Sequence, residues 1–270
     1  MTSTPPPLIS VIVPTRNRPT LLQRAVDSIV AQTYRPIEIV IVDNASDAPV
    51  SVRSGDVPCI VHRNAQMLKA APNRNLGASL CSGELVAFLD DDDTFMPSKF
   101  SLLVAAMDGV ELCYGNTRMV GRDGRELGLG RGRGGIDKLM LRRYIHPNAT
   151  LMRRKAFDAV RFDERMTTYE DVDFIFRFFL KYPIRHVDEI VAVWNRDGRP
   201  DQLTTRNLRR SYANWLILCE RFALHIDCYP PVSRLYYRKM FLLALTQFEA
   251  GVALRYLSKF ARYGLRAGAA

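Results

Sequence analysis

Along the first half of the chain, short unbroken apolar runs alternate with longer segments whose apolar residues recur every three or four positions. Ile9-Ser10-Val11-Ile12-Val13-Pro14 is rich in β-branched residues and closed by proline, which predicts a buried strand. From about Pro19 to Thr33, residues Leu21, Leu22, Ala25, Val26, Ile29 and Val30 keep helical spacing, and Pro19 suits a first turn. Ile37 to Val42 is another buried strand, ending at Asp43. Strand, helix and strand within about thirty-five residues make a βαβ unit, which implies a parallel sheet.

The pattern continues with a strand from Cys59 to His62, a helix from Asn73 to Cys81, and a strand from Leu85 to Leu89 that runs into four aspartates. Ser98 to Met107 predicts a helix with Ser98 as its cap, and Leu112 to Tyr114 a short strand. In such an α/β domain ligands collect at the carboxyl ends of the strands. That rule brings Asp43 and Asp90 to Asp93 to one crevice. Gly121 to Gly135, GRDGRELGLGRGRGG, has no apolar period. It reads as a mobile loop or, more sharply, as a lid over a phosphate-bearing ligand. Asn148 to Arg153 predicts a strand and Tyr169 to Leu180 a Phe-rich helix. Beyond Thr205 the chain turns helical and basic.

Composition narrows the class. Of 270 residues, 47% are hydrophobic and 24% charged, enough for a buried core and far from the disordered range. No run approaches the ~20 apolar residues needed to span a bilayer. Met1 to Pro7 is polar and proline-rich, without the regions of a signal peptide, and reads as a disordered lead-in over 1–8. The five cysteines include no CxxC pair, which fits reduced thiols in a cytosolic protein rather than a zinc site. The net charge of +10 is uneven: Arg206 to Ala270 carries eleven basic and three acidic residues, 11 − 3 = +8, leaving +2 elsewhere. A basic tail suits a polyanionic neighbour, either an anionic membrane surface or nucleic acid.

Two acidic clusters carry candidate chemistry. Asp90-Asp91-Asp92-Asp93 ends an apolar strand. Like charges this close raise one another's pKa unless a cation lies among them. Hard divalent cations take such oxygen ligands together with substrate phosphates. The plainer alternative is a solvated turn before the next helix. Tyr169-Glu170-Asp171-Val172-Asp173 opens a helix. Acids favour any first helical turn, while Asp171 has the chemistry of a general base for a sugar hydroxyl.

An ordered set of motifs decides between these readings. Val13-Pro14-Thr15-Arg16-Asn17-Arg18, Val42-Asp43-Asn44-Ala45-Ser46-Asp47, Asn73-Arg74-Asn75-Leu76-Gly77, Gly83 through Asp93, and Tyr169-Glu170-Asp171 occur in this order. In order and spacing, from about residue 9 to 180, they resemble family 2 glycosyltransferases. The resemblance implies a GT-A, Rossmann-like, mainly parallel sheet flanked by helices, with a C-terminal helical appendage. The catalytic domain would span 9–204, with a nucleotide-sugar half near 9–115 and an acceptor half near 116–204, followed by a basic helical segment over 205–270. Pro14, Thr15 and Arg18 would line the nucleotide cleft. Asp43 would accept the ring N–H of a uracil-like base, and Arg74 would serve base or diphosphate. Asp90 and Asp91 would hold ribose and sugar, Asp92 would touch Mn²⁺ or Mg²⁺, and Asp171 would be the catalytic base with Glu170 nearby. His146 is a candidate on the acceptor side.

The match weakens after residue 185. Many relatives carry a Tyr-Arg-x-His-like segment where this chain has Trp194-Asn195-Arg196-Asp197-Gly198, so Arg196 and Arg199 are the candidates to neutralise phosphate. The implied reaction inverts the anomeric carbon. It moves a sugar from a UDP donor, with dTDP next, to a hydroxyl of a saccharide or lipid-linked saccharide in bacterial-type polysaccharide or glycoconjugate synthesis. The rivals are a metal-dependent phosphoryl-transfer enzyme on nucleic acid, a non-catalytic nucleic-acid binder using the basic tail, and a degenerate sugar-binding relative. Under the leading reading no nucleic acid is expected. The enzyme would be cytoplasmic, with the last helix (Arg255, Lys259, Arg262, Arg266) attaching peripherally to the inner face of an anionic membrane.

Overall fold

The computed structural model describes residues 5–130, 145–196 and 208–265. These fall into two units. An α/β unit holds 5–130, 145–164 and 170–196, and a helical unit holds Arg165–Tyr169 with 208–265.

The α/β unit is built on one nine-stranded sheet. β1 (Ile9–Thr15) lies between β2 (Ile37–Asp43) and β4 (Leu85–Phe88), and β2 is flanked by β3 (Cys59–Arg63); all three pairings are parallel. Every residue of β2 is buried, and β1 is buried throughout except at Pro14, which is why these strands read as unbroken apolar runs. Beyond β4 the sheet becomes mixed. β8 (Thr150–Arg153) is antiparallel to both β4 and β6 (Leu112–Gly121). β9 (Ile184–Arg196) runs parallel to β6 and antiparallel to β5 (Thr94–Phe95).

Helices cover the sheet. α1 (Pro19–Val30) buries Leu22, Ala25, Val26 and Ile29, the stripe its spacing predicts, with Pro19 in its first turn. α2 (Ala70–Ser79) approaches the sheet closely at Gly77: a Cβ there would sit 2.4 Å from Ile12 Cγ2. α3 (Lys99–Ala105) starts after Ser98, but the Ser98 side chain makes no capping bond. α4 (Arg154–Asp158) follows β8, and α5 (Glu170–Lys181) opens with the second acidic cluster.

The expected loop from Gly121 is partly ordered structure. β7 (Glu126–Gly130) pairs with β6 in a hairpin whose turn passes through Gly124 at φ +77°. Residues 131–135 of that segment lie outside the described residues, as do 1–4 of the lead-in, Arg199 and Arg266.

In the helical unit, α6 (Leu208–Arg221), α7 (Ala223–Cys228), α8 (Pro230–Thr246) and α9 (Ala250–Leu265) follow one another. Trp215 stacks on Tyr236 with ring centroids 4.8 Å apart, and Leu218, Phe222, Ile226, Tyr237, Met240 and Tyr256 are buried. Among the described residues no helix is long and apolar enough to cross a membrane.

Candidate active site

The carboxyl ends of β1, β2 and β4 bring together Pro14, Thr15, Asp43 and the aspartate run, as the parallel pairing of these three strands requires, while Arg18 precedes α1 and Arg74 lies on α2. Thr15 and Asp43 are register partners at the ends of β1 and β2, and Pro14 is paired with Val42. The aspartate run leaves β4 beside them. Thr15 Oγ1 donates to Asp91 Oδ2 at 2.7 Å, and Arg18 Nη1 donates to Asp91 Oδ1 at 2.8 Å. The same Arg18 nitrogen lies 3.6 Å from Asp92 Oδ2. Burial pushes Asp91 above the usual carboxylate range, although Arg18 and Thr15 pull it down.

Asp43 is fully buried. Its Oδ1 accepts the Ser46 N–H at 2.9 Å, whereas Oδ2 has no hydrogen-bond partner among the described residues and lies 3.6 Å from Arg63 Nε. A buried acceptor left unpaired costs about 1–3 kcal/mol, so the orphaned oxygen marks where an outside N–H donor fits.

Arg74 connects the two acidic clusters. It is buried, with Nη2 donating to Asp90 Oδ1 and Nη1 to Glu170 Oε1, both at 2.8 Å. Burial works against its charge, but Asp90 and Glu170 outweigh this and keep the guanidinium protonated. Burial likewise raises Asp90, yet Arg74, His146 and the bonds from Arg74 and Asn148 hold it below the usual range. Beside Glu170, Asp171 accepts the Val172 N–H at 2.8 Å. Burial, then the Glu170 charge, push the Asp171 carboxyl up to about 7, against the pull of Arg74. A carboxylate poised there suits proton abstraction near neutral pH.

Three residues that sequence patterns did not single out hold the aspartate run in place. Asn148 is fully buried, its Oδ1 accepting the Asp90 N–H and its Nδ2 donating to Asp93 Oδ2. Asn195 donates its backbone N–H to Asp93 Oδ1 and its side-chain amide to the Asp92 carbonyl, each at 2.7 Å. Lys99, also fully buried, donates to the Asn148 carbonyl at 2.7 Å, with Nζ 3.4 Å from the centroid of the Phe95 ring. Their partners lie roughly fifty to a hundred positions away in sequence, beyond the reach of local patterns. The available signal was Asn195 itself, in the segment that departs from the family pattern.

A group able to hold a metal ion is formed by Asp90, Asp93 and His146, whose donor atoms lie within 4.8 Å of one another. Two carboxylates and an imidazole fit a divalent cation. Burial lowers His146 to about 4, so the ring is neutral, as a ligand must be. Asp92, the ligand expected from the motif, lies outside this group, while His146, expected on the acceptor side, belongs to it. Burial and the neighbouring aspartates raise Asp93 well above the usual range, a cost that a cation would offset. Arg196 lies over the Trp194 ring, 4.9 Å from its centroid.

Comparison with known proteins identifies the family and the fold. The sequence profile of Glycosyl transferase family 2 matches residues 10–169, and the chain belongs to that family. A "PGL/p-HBAD biosynthesis glycosyltransferase" of Mycobacterium tuberculosis is 30% identical over 206 residues, 71% of this chain and 78% of that protein. A "GalNAc(5)-diNAcBac-PP-undecaprenol beta-1,3-glucosyltransferase" of Campylobacter jejuni is 40% identical over 117 residues, 41% of this chain and 38% of that protein. An uncharacterized glycosyltransferase of Rickettsia felis is 29% identical over 208 residues, 70% of this chain but only 34% of the relative's length. Among solved structures, S. aureus TarS in complex with UDP-GlcNAc superimposes with a TM-score of 0.66 at 15% identity, covering 96% of this chain and 92% of that one. The mannosyltransferase PcManGT from Pyrobaculum calidifontis, in complex with GDP-Man and Mn²⁺, gives 0.60 at 14% identity, covering 96% and 84%. The fold is GT-A.

Proposed function

We propose that this chain transfers a sugar, with inversion, from a nucleoside diphosphate donor to an acceptor hydroxyl in glycoconjugate synthesis. UDP-sugars are favoured and dTDP-sugars come next. The acceptor is a saccharide or a lipid-linked saccharide, a choice supported by the lipid-linked substrate named for the Campylobacter relative.

The observation that carries the reading is the Arg74 bridge. It ties Asp90, on the donor side, to Glu170 beside Asp171, so one buried cation sets the spacing of both acidic clusters. In the proposed reaction the base docks with its ring N–H on Asp43 Oδ2, beside Pro14, Thr15 and Arg18. Asp90 and Asp91 orient ribose and sugar. Asp171 takes the proton from the acceptor hydroxyl as its oxygen bonds to the anomeric carbon. The bond from that carbon to the diphosphate oxygen breaks, and the diphosphate leaves with the electron pair. No covalent enzyme intermediate is needed.

A divalent cation, Mn²⁺ or Mg²⁺, would act there as a Lewis acid for the charge that builds on the leaving group. Two ligand sets are distinguishable: Asp90, Asp93 and His146 by geometry, and Asp92 by the motif. Cation affinity lost in Asp92→Asn but kept in Asp93→Asn selects the motif, and the reverse selects the geometric group. The function itself is tested with Asp171→Asn. It should abolish transfer while leaving UDP affinity, read by calorimetry, nearly intact; near-normal turnover would sink the assignment.

A further inference from the structure

The helical unit exposes apolar side chains out of proportion to its size. Of the thirteen large apolar residues exposed among the described residues, five lie in the α/β unit and eight in the helical unit. They concentrate where α8 turns into α9. Leu242 and Leu245 close α8, Phe248 stands in the turn, and Leu254 and Leu257 follow in the first half of α9. At roughly 100° per residue, Leu242 and Leu245 share one side of α8, with the exposed Arg238 between them in angle and one turn earlier. Leu254 and Leu257 likewise share a side of α9, and the exposed Arg255 and Arg262 lie together along its edge next to Leu254.

Phe248 gives this tip its meaning. The Phe248 N–H bonds the Leu245 carbonyl at 3.2 Å and the Glu249 N–H bonds the Ala244 carbonyl at 3.1 Å, the two bonds of a Schellman helix end. Its pivotal residue must be left-handed, and Phe248 is, at φ 59°. Glycine or asparagine ordinarily fills that position, because a bulky side chain is strained there. Phe248 is also 95% exposed, so no packing among the described residues compensates for the strain. An aromatic ring held outward at a strained helix end, with leucines on both sides, is arranged for an apolar medium outside the chain.

Charge selects the medium. Residues 230–265 carry six basic side chains and one acidic, 6 − 1 = +5. Arg255 meets Glu220 only at 3.8 Å with both side chains about half exposed, a pairing of little strength that an external anion can replace. Lys259 lies instead over the Tyr237 ring, and Tyr256 and Tyr263 are buried, so the opposite side of α9 is committed to packing on α8.

We propose that the α8–α9 tip is a membrane-docking surface, with Phe248 and the flanking leucines entering the headgroup boundary of an anionic bilayer and Arg238, Arg255 and Arg262 meeting its lipid phosphates. The surface differs from the basic final helix expected from sequence, because its apolar centre is the interhelical tip. Attachment of this kind is shallow, reversible and salt-sensitive.

Co-sedimentation of the full chain with phosphatidylglycerol/phosphatidylcholine vesicles and with phosphatidylcholine vesicles tests it. Binding should require the anionic lipid and fall at about 0.5 M NaCl, where the Debye length is a few ångströms. Phe248→Gly should reduce binding about tenfold, the effect of withdrawing one large apolar side chain. Because glycine suits the left-handed position, the variant's Tm should be unchanged or higher. Leu254→Ser should weaken binding in the same direction. Equal binding to both vesicle types, or full binding by Phe248→Gly, would overturn the proposal. So would light scattering that shows a dimer which Phe248→Gly dissociates, without vesicle binding by either form. Nucleotide-sugar turnover without vesicles should not respond to Phe248→Gly, so this surface and the proposed reaction fail independently.

Discussion

Two carboxylates on β2 sit at opposite ends of one strand and have opposite surroundings. Glu38, at the amino end, accepts hydrogen bonds from the Ser10 and Ser82 hydroxyls and from the Ser82 and Gly83 N–H groups. Burial raises it, yet these donors together hold it below the usual carboxylate range. Asp43, at the carboxyl end, is still more enclosed and among the described residues leaves Oδ2 without a hydrogen-bond partner. Both cost desolvation. Glu38 has both oxygens hydrogen-bonded, joining β1, β2 and the turn before β4, whereas Asp43 has one hydrogen-bonded oxygen and, at the other, only the charge of Arg63 at 3.6 Å. The contrast sets an acid bonded on both oxygens apart from the acid proposed to meet the nucleotide base, on a strand whose pattern of buried residues does not distinguish its two ends.

The contrast can be broken by substitution. The largest effect is expected at Asp171, beside Glu170 in the first turn of α5. Asp171→Asn should lower kcat by about 10²–10⁴-fold. Under the proposed reaction the ionised form of Asp171 is the active one in the unchanged enzyme. With the carboxyl at about 7, kcat/KM should fall about tenfold per pH unit below that value and level off above it. A profile flat from pH 5.5 to 8 would remove Asp171 from the base role.

A smaller effect is expected at Asp43. Asp43→Asn keeps an acceptor for Ser46 but loses the charge facing the base, and should weaken UDP binding by about 10–100-fold, the range of a charged hydrogen bond. Thermal stability should stay nearly level, because the oxygen that changes is held only by the 3.6 Å contact with Arg63. Unchanged UDP affinity would break the comparison.

The smallest change in activity is expected at Glu38. Glu38→Gln should cost about 1–3 kcal/mol of stability, because buried donors lose their anionic partner, while kcat and KM stay near wild type. The sign of its pH dependence is fixed. A carboxyl lowered on folding contributes stability above its unfolded value, and that contribution disappears as pH falls through the folded one. The wild type should therefore lose more stability than Glu38→Gln when acidified through pH 4.5.

What was legible in sequence follows the same division. β1, β2, β4 and α1 announced themselves because burial on both faces, or on one helical stripe, forces a simple pattern. β9 did not, since polar residues interrupt its partly exposed length. β5 is two residues long, and the glycines of β7 resembled a loop. In the site, acids crowded in sequence were visible because like charges at close range need a reason. The amides and the lysine that hold them were not, because Asn148, Asn195 and Lys99 acquire meaning only from partners the fold brings together.

The most direct measurement of the central claim is the nucleotide product formed by the full chain. The chain would be incubated with UDP- and dTDP-sugars, Mn²⁺ and a hydroxyl acceptor, beside a reaction in EDTA and one with Asp171→Asn. The account predicts release of a nucleoside diphosphate from at least one donor, which identifies the broken bond as that between the anomeric carbon and the diphosphate oxygen. This release should be lost in EDTA and in Asp171→Asn. Release of nucleoside monophosphate would instead mean cleavage at phosphorus, and that result, or no turnover of any donor, would contradict it.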